Sequence, residues 1–185
     1  MILSDFLKEQ TKQYHDEIET KLESNKLFDG SFSEVNYYKM LQVNYQFLSA
    51  YEKAIRTFLT PEDLKEIPLT KLNKLDLIVS DLTELGLDLT EAKKQFELKS
   101  RAEAFGALYV IEGSMLGGNV IAKSLKKYEF LEDKSFNYFG HYGENLSAIW
   151  KTFLKYINQE FQTEQEQIQV LNGAKKAYQD LIDFA

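Results

Sequence analysis

Apolar residues recur at three- and four-residue intervals along most of the chain, which is the pattern of helices that bury one face. The first such segment has Ser4 as its predicted N-cap and ends near Ser24. Its apolar stripe consists of Leu7, Tyr14, Ile18 and Leu22. Almost no stretch alternates apolar and polar residues as a half-buried strand would, so we predict an all-α fold, a single helical bundle.

Capping and turn signals place the following helices. Residues 31–34 have the spacing of a capping box and open an aromatic-rich segment that continues to Phe58. The two prolines of the chain, Pro61 and Pro68, predict the loop that ends this segment.

The rest of the chain contains four more predicted helices. Thr70 and Thr90 are the predicted caps of the first two, and the second of these reaches about Lys127. Residues 128–143 are predicted to form a connection. Two helices follow it, and the last begins at a capping box that starts with Thr163.

Composition and charge narrow the class of protein. The length of 185 residues fits one domain over residues 1–185, and 44% hydrophobic with 28% charged residues is typical of a folded globular protein. A formal net charge of −7 without any basic run disfavours nucleic acid and anionic membranes as partners. The absence of cysteine excludes thiol nucleophiles, disulfides and thiolate-bound metals. With no signal peptide and no run of about 18 apolar residues, we expect no membrane span and a cytoplasmic location.

A cluster of glycines interrupts the apolar segment over residues 105–125. Gly113, Gly117 and Gly118 each cost a helix about 1 kcal/mol relative to alanine, so a break or kink is expected there. Gly113 and Gly117 share a face, with Ser114 beside them, and this face offers bare backbone. Three explanations fit the pattern: a flat or bulky ligand approaches the backbone, a neighbouring helix packs closely, or the cluster is a hinge.

The chain has two histidines. His15 lies at the boundary between the apolar stripe and a charged stripe with Lys8 and Lys12. Glu19, four residues later, is placed to accept a hydrogen bond from one ring nitrogen and leave the other free for a metal. The alternative is a half-buried histidine with a carboxylate partner. His141 is predicted to be a loop or packing histidine.

Two segments together resemble a known family. They are "LKEQTKQYHDEIE" at residues 7–19 and "GALYVIEGSMLGGNVIAKSL" at residues 106–125, and the combination strongly resembles the haem oxygenases, especially the compact bacterial, biliverdin-producing kind. The late segments "FGHYGENLSAIWKTF" and "GAKKAYQDLIDF" extend the resemblance over most of the chain. The resemblance implies that His15 is the axial iron ligand and that the glycine-rich segment is the distal helix over the opposite haem face.

The resemblance also implies the reaction and its other participants. Haem, as both cofactor and substrate, is cleaved with O₂ and reducing equivalents to biliverdin, carbon monoxide and ferrous iron. The electron donor is external, such as a ferredoxin or a reductase, since the chain has no flavin or nicotinamide fingerprint.

Further site residues follow from the same resemblance. Lys8 and Lys12, together with Lys151 and Lys155, match basic positions that face the haem propionates. The alternative for each lysine is a solvated surface charge. Ser114 departs from the pattern of the animal enzymes, which have an aspartate that organises the distal water at this position.

Three other classes of protein remain as rivals. A haem carrier or sensor would keep His15 and the pocket without degrading haem, and the missing aspartate favours it. A di-iron oxidase requires glutamates three residues before its histidines, where this chain has Lys12 and Tyr138. A plain helical interaction module predicts no coloured complex with hemin.

Overall fold

A computed structural model describes residues 2–67, 73–90 and 97–185, and these residues form α-helices and two short 3-10 helices without any strand. The 3-10 helices span Glu129–Leu131 and Gly143–Asn145. The α-helices are α1 (Leu3–Lys21), α2 (Lys26–Asp29), α3 (Glu34–Arg56), α4 (Pro61–Glu66), α5 (Lys74–Glu84), α6 (Arg101–Leu125), α7 (Leu146–Glu160) and α8 (Glu164–Phe184). The predicted all-α fold is confirmed.

The predicted cap of the first helix is wrong. Helix α1 already begins at Leu3, so Ser4 lies in its first turn, and the helix ends at Lys21, before Ser24. The Ser4 N–H donates to Asn158 Oδ1 at 2.9 Å, and Asn158 Nδ2 donates to Ser4 Oγ at 3.0 Å. Ser4 therefore joins α1 to α7, because a long-range amide partner satisfies both of its polar groups.

Two boundaries near the middle of the chain also differ from prediction. The capping box of α3 is formed by Ser33 and Asn36, two residues later than predicted. Asn36 accepts the hydrogen bond from the cap backbone that a glutamate or glutamine usually accepts, so the usual sequence signature of the box is missing. The prediction that Pro61 lies in a loop is wrong. Pro61 occupies the first turn of α4, where its missing N–H costs nothing, and Thr60 caps that helix.

The helix that carries the glycine cluster starts later than predicted. Ser100 caps α6, and residues 97–99 before it are not helical, so a continuous helix from Thr90 is wrong. The predictions for Pro68 and Thr70 lie outside the described residues. Thr163 caps α8 as predicted, and the connection at 128–143 is confirmed. Helix α6 is unbroken across its glycines, and its bend stays a prediction.

Helix α6 lies at the centre of the fold. It is long and apolar enough to cross a membrane, but 65% of its most apolar stretch is buried against the rest of the protein, as in a core helix. Two glycines bring it close to α8: a Cβ at Gly106 would lie 2.0 Å from the Val170 carbonyl oxygen, and one at Gly173 would lie 2.1 Å from that of Glu103. Backbone therefore packs on backbone where α6 crosses α8.

Candidate functional site

A cleft runs between α1 and α6. It consists of two hollows of about 790 and 480 Å³. Four residues line both hollows, which makes the hollows two parts of one space: His15, Gly113, Leu116 and Tyr178. The structure thus brings the predicted histidine and the first predicted glycine to the same cleft.

His15 is an exposed side chain at the join of the two hollows. Its Nδ1 lies 3.7 Å from Glu19 Oε2, which is an ion-pair distance and longer than a hydrogen bond. Asp16 stands close to both residues and forms an ion pair with Lys12. The predicted neighbourhood of His15 and Glu19 is present, but their side chains are not hydrogen-bonded to each other in this structure.

The glycines of α6 are of two kinds. A Cβ at Gly113 would meet only Trp150 Cη2, at 3.5 Å, and a Cβ at Gly117 would meet only Ile121 of its own helix, at 3.8 Å. Both are ordinary van der Waals distances, so protein packing does not require glycine at either position. Close packing by a neighbouring helix therefore fails to explain these two glycines, and the space beyond them is the cleft.

Gly118 has a different environment. A Cβ there would lie 2.7 Å from the Phe139 carbonyl oxygen, so the connection packs against the helix at this point. Gly118 is buried and does not line either hollow, unlike Gly113 and Gly117. For this glycine, close packing is the explanation that the structure supports.

Ser114 lines the smaller hollow on the same wall as Gly117. Its hydroxyl donates to the Ile111 carbonyl oxygen of its own helix at 2.7 Å. Asn44 reaches the same hollow from α3 and accepts a hydrogen bond from the buried Tyr138 hydroxyl at 3.1 Å. Polar groups from three parts of the chain therefore lie around this end of the cleft.

Aromatic side chains that the sequence analysis did not select line the larger hollow. Tyr109 and Trp150 have ring centroids 5.4 Å apart, and Tyr178 completes this part of the wall. Burial raises the pKa of Tyr109 and of Tyr178, so both hydroxyls stay protonated. Trp150 is the only tryptophan of the chain, which is the one sequence signal that pointed to it.

The four predicted lysines divide into two pairs. Lys8 and Lys12 line the larger hollow, together with the acidic residues Asp5, Glu9 and Asp16, so this edge of the cleft carries both charges. Lys151 and Lys155 are exposed on α7 and do not line the cleft. Each of them follows a lining residue, Trp150 or Leu154, by one position.

His141 lies in a turn of the connection, and its ring centroid is 4.8 Å from that of Tyr142. It lines neither hollow. This agrees with the prediction of a loop or packing histidine.

The cleft suits a flat, mainly apolar ligand that offers a metal to an imidazole. Helix backbone is bare at Gly113 and Gly117, the smaller hollow is lined largely by aromatic and aliphatic residues, and the larger hollow adds aromatic side chains together with His15 and charged side chains at its edge. Helical bundles that hold such groups between facing helices form a recognised class of metal- and cofactor-binding proteins.

Comparison with known proteins identifies the family. The family model described as Heme oxygenase matches residues 1–184, so the chain belongs to the haem oxygenase family. A protein named heme oxygenase from Xanthomonas campestris pv. campestris (strain 8004) is 27% identical over 152 residues, which covers 82% of this chain and 90% of that protein.

A solved structure shows the same fold. It is the NO- and CO-bound heme oxygenase from Neisseria meningitidis, which superposes with a TM-score of 0.77 at 22% sequence identity. The superposition covers 100% of this chain and 90% of that one.

Proposed function

We propose that this member of the family cleaves haem in the cleft between α1 and α6, with O₂ and reducing equivalents, to biliverdin, carbon monoxide and ferrous iron. One observation carries the proposal. His15 shares a cleft with Gly113 and Gly117, whose missing side chains leave a space that no protein atom fills. Glycines that weaken a helix without serving its packing indicate a ligand on that face.

His15 is the proposed iron ligand, and Glu19 lies near enough to orient its ring. When bound, haem supplies the iron that activates O₂ and the porphyrin edge that is oxidised. Gly113 and Gly117 keep the opposite wall flat, and the backbone and hydroxyl of Ser114 are polar groups beside that wall. The proposal gives Gly118 a packing role rather than a contact with the ligand.

The lysines are the proposed partners of the haem propionates. Lys8 and Lys12 reach the edge of the cleft directly. Lys151 and Lys155 lie on the exposed side of α7, one residue beyond the side chains that line the cleft, and their long side chains can turn towards it. Charge-assisted contacts of this kind would fix the rotation of haem in the cleft.

The electron donor is a separate protein such as a ferredoxin or a reductase, and the reaction takes place in the cytoplasm. Both inferences rest on the family and, for the donor, on a sequence without a dinucleotide-binding fingerprint.

The test is a visible spectrum of the protein with equimolar hemin, followed after ascorbate is added in air with catalase present. We expect the Soret band to disappear while a red-absorbing, biliverdin-like band grows, and chromatography should identify the product. A parallel sample without ascorbate controls for bleaching. A Soret band that survives the reductant would overturn the proposal in favour of a carrier or sensor, and no coloured complex would exclude haem binding altogether.

A further inference from the structure

Three polar side chains lie together behind α6, two of them buried and that of Tyr142 partly buried. Lys74 and Glu112 are 1% and 2% exposed, and Lys74 Nζ donates to Glu112 Oε1 at 2.5 Å. Lys74 Nζ also lies 2.9 Å from the Tyr142 hydroxyl, which in turn donates to Glu112 Oε2 at 2.8 Å. We call these three residues the buried triad, after the buried pair Lys74 and Glu112. It joins α5, α6 and the connection, and the proposed reaction does not use it.

The buried triad lies directly beside the open face of α6. Glu112 immediately precedes Gly113 and does not line the cleft, so it points away from it. The connection touches α6 a second time at Gly118, against the Phe139 carbonyl oxygen. The two contacts therefore flank residues 113–117, the stretch whose other side is open.

The connection is itself held from behind. Asp81 of α5 accepts hydrogen bonds from the backbone N–H of Asn137 at 2.8 Å and of Tyr138 at 2.9 Å, and from the Asn137 side chain at 2.8 Å. Phe136, with φ of 50°, occupies the left-handed region that is costly for an aromatic residue. Helix α5 thus fixes both Lys74 and the connection, and together they form a support behind α6.

A helix with glycines on an open face needs such a support. Gly113 and Gly117 weaken α6 locally, and from the cleft only the edge of Trp150 approaches Gly113, at ordinary van der Waals distance. A buried ion pair is often no more stable than apolar residues of the same size, so stability alone does not explain one at this place. Its directional hydrogen bonds do, however, fix the position of Glu112 in a way that apolar contacts would not.

We propose that the buried triad is a positioning device, which holds the bare face of α6 at a fixed distance from His15, and that Lys74, Glu112 and Tyr142 are positioning residues for the reaction in the cleft. The inference rests on the proposed function only in naming the reaction that the buried triad serves. The positioning itself is a property of the ligand-free protein.

The first test measures hydrogen exchange in the haem-free protein. Tyr142→Phe removes one hydroxyl and keeps the ring, and Lys74→Met with Glu112→Gln removes both charges together and leaves no unpaired buried ion. In both variants, amides 113–118 should exchange about tenfold faster than in the parent, whereas α8 should be unchanged. The matched control is Tyr51→Phe, which removes another buried hydroxyl bonded to a carboxylate, that of Asp180.

The second test uses the hemin-loaded protein. We expect Tyr142→Phe to bind hemin within about twofold of the parent and to degrade it several-fold more slowly, since the ligand remains bound while the opposite wall moves. The Tyr51→Phe control should match the parent in both measurements. Unchanged exchange at residues 113–118 in both triad variants, or equal acceleration in the control, would overturn the positioning role. Failure of the parent to degrade hemin would instead overturn the proposed function and leave the exchange result standing.

Discussion

The two histidines occupy different environments. His15 projects from α1 into the cleft, beside Glu19 and opposite the glycine wall, whereas His141 lies in a turn of the connection against Tyr142. His15 is exposed and His141 is partly buried, so neither is a core residue and burial alone does not distinguish their roles. Their surroundings do, because His15 lines both hollows of the cleft and His141 lines neither.

Replacing His15 tests the ligand assignment. In His15→Ala, we expect at least about a tenfold loss of hemin affinity and an altered Soret band, because the iron loses its protein ligand. Added imidazole should restore the spectrum of the parent. His141→Ala is the matched control and should titrate like the parent. Hemin binding and degradation by His15→Ala at the level of the parent, without imidazole, would show the assignment to be wrong.

At the scale of the helix, α6 uses glycine for two purposes. At Gly106 the side chain is missing because the backbone of α8 occupies its place. At Gly117 the side chain is missing although the space is open. The same residue type therefore serves the fold at one position and the cleft at the other, which a stability measurement can distinguish.

Alanine substitution should have opposite effects at these two positions. In the haem-free protein, Gly117→Ala should raise the free energy of unfolding by about 0.5 to 1 kcal/mol, since alanine favours the helix and meets no obstacle. It should also weaken hemin binding or turnover. Gly106→Ala should lower the free energy of unfolding by about 2 kcal/mol or more, because its methyl group would overlap Val170. Chemical denaturation measures the free energy of unfolding of each variant, and a hemin titration measures its hemin affinity. A lower free energy of unfolding for Gly117→Ala than for the parent would contradict this interpretation.

The sequence predicts the presence of the helices better than it predicts their ends. The 3.6-residue periodicity predicts the helices well because burial of one face dominates their stability. Helix ends are less predictable: Ser4 has the side chain of a cap, but its hydrogen bonds with Asn158 of α7 give it another role. Ser33 and Ser100 cap α3 and α6, at positions other than those predicted.

For the site, the sequence predicts the residues whose chemistry is unusual for their position. His15 and the cluster at Gly113 and Gly117 stand out in helical segments and do line the cleft. Tyr178 does not stand out, because an aromatic residue on an apolar helix face is ordinary core material until the fold brings it to a cavity. Glu112 does carry a signal in the sequence, since it is the only charged residue between Glu103 and Lys123.

At the scale of the whole molecule, an ion cluster joins the start of α6 to α4 and α7. Arg101 pairs with Asp63 and with Glu160, and Tyr156 donates to Asp63 Oδ1 at 2.7 Å. Asp63 is fully buried. Burial alone would raise its pKa, but hydrogen bonds from Arg101, Thr60 and Tyr156 outweigh burial and lower the pKa to about 2.

This cluster predicts how the protein unfolds in acid. Because the folded-state pKa of Asp63 lies below its ordinary value of 3.8, its contribution is complete above about pH 4 and is lost as the pH falls towards 2. The loss should be on the order of 1 to 2 kcal/mol. Urea unfolding between pH 6 and 2 should show a smaller acid dependence for Asp63→Asn, from a lower starting stability. Asp133→Asn, at an exposed position, should follow the parent, and identical acid curves for all three proteins would exclude this role of Asp63.

The mouth of the cleft has a consequence for the life of the protein in a cell. Phe28, Leu116 and Val120 are 70%, 41% and 49% exposed, and all three border the smaller hollow. An exposed apolar surface of this kind favours self-association, and chaperones and proteases recognise it while no ligand covers it. A ligand that fills it stabilises the protein by mass action and hides the same surface. We therefore expect the abundance of this protein to follow the supply of haem, even where its synthesis is constant.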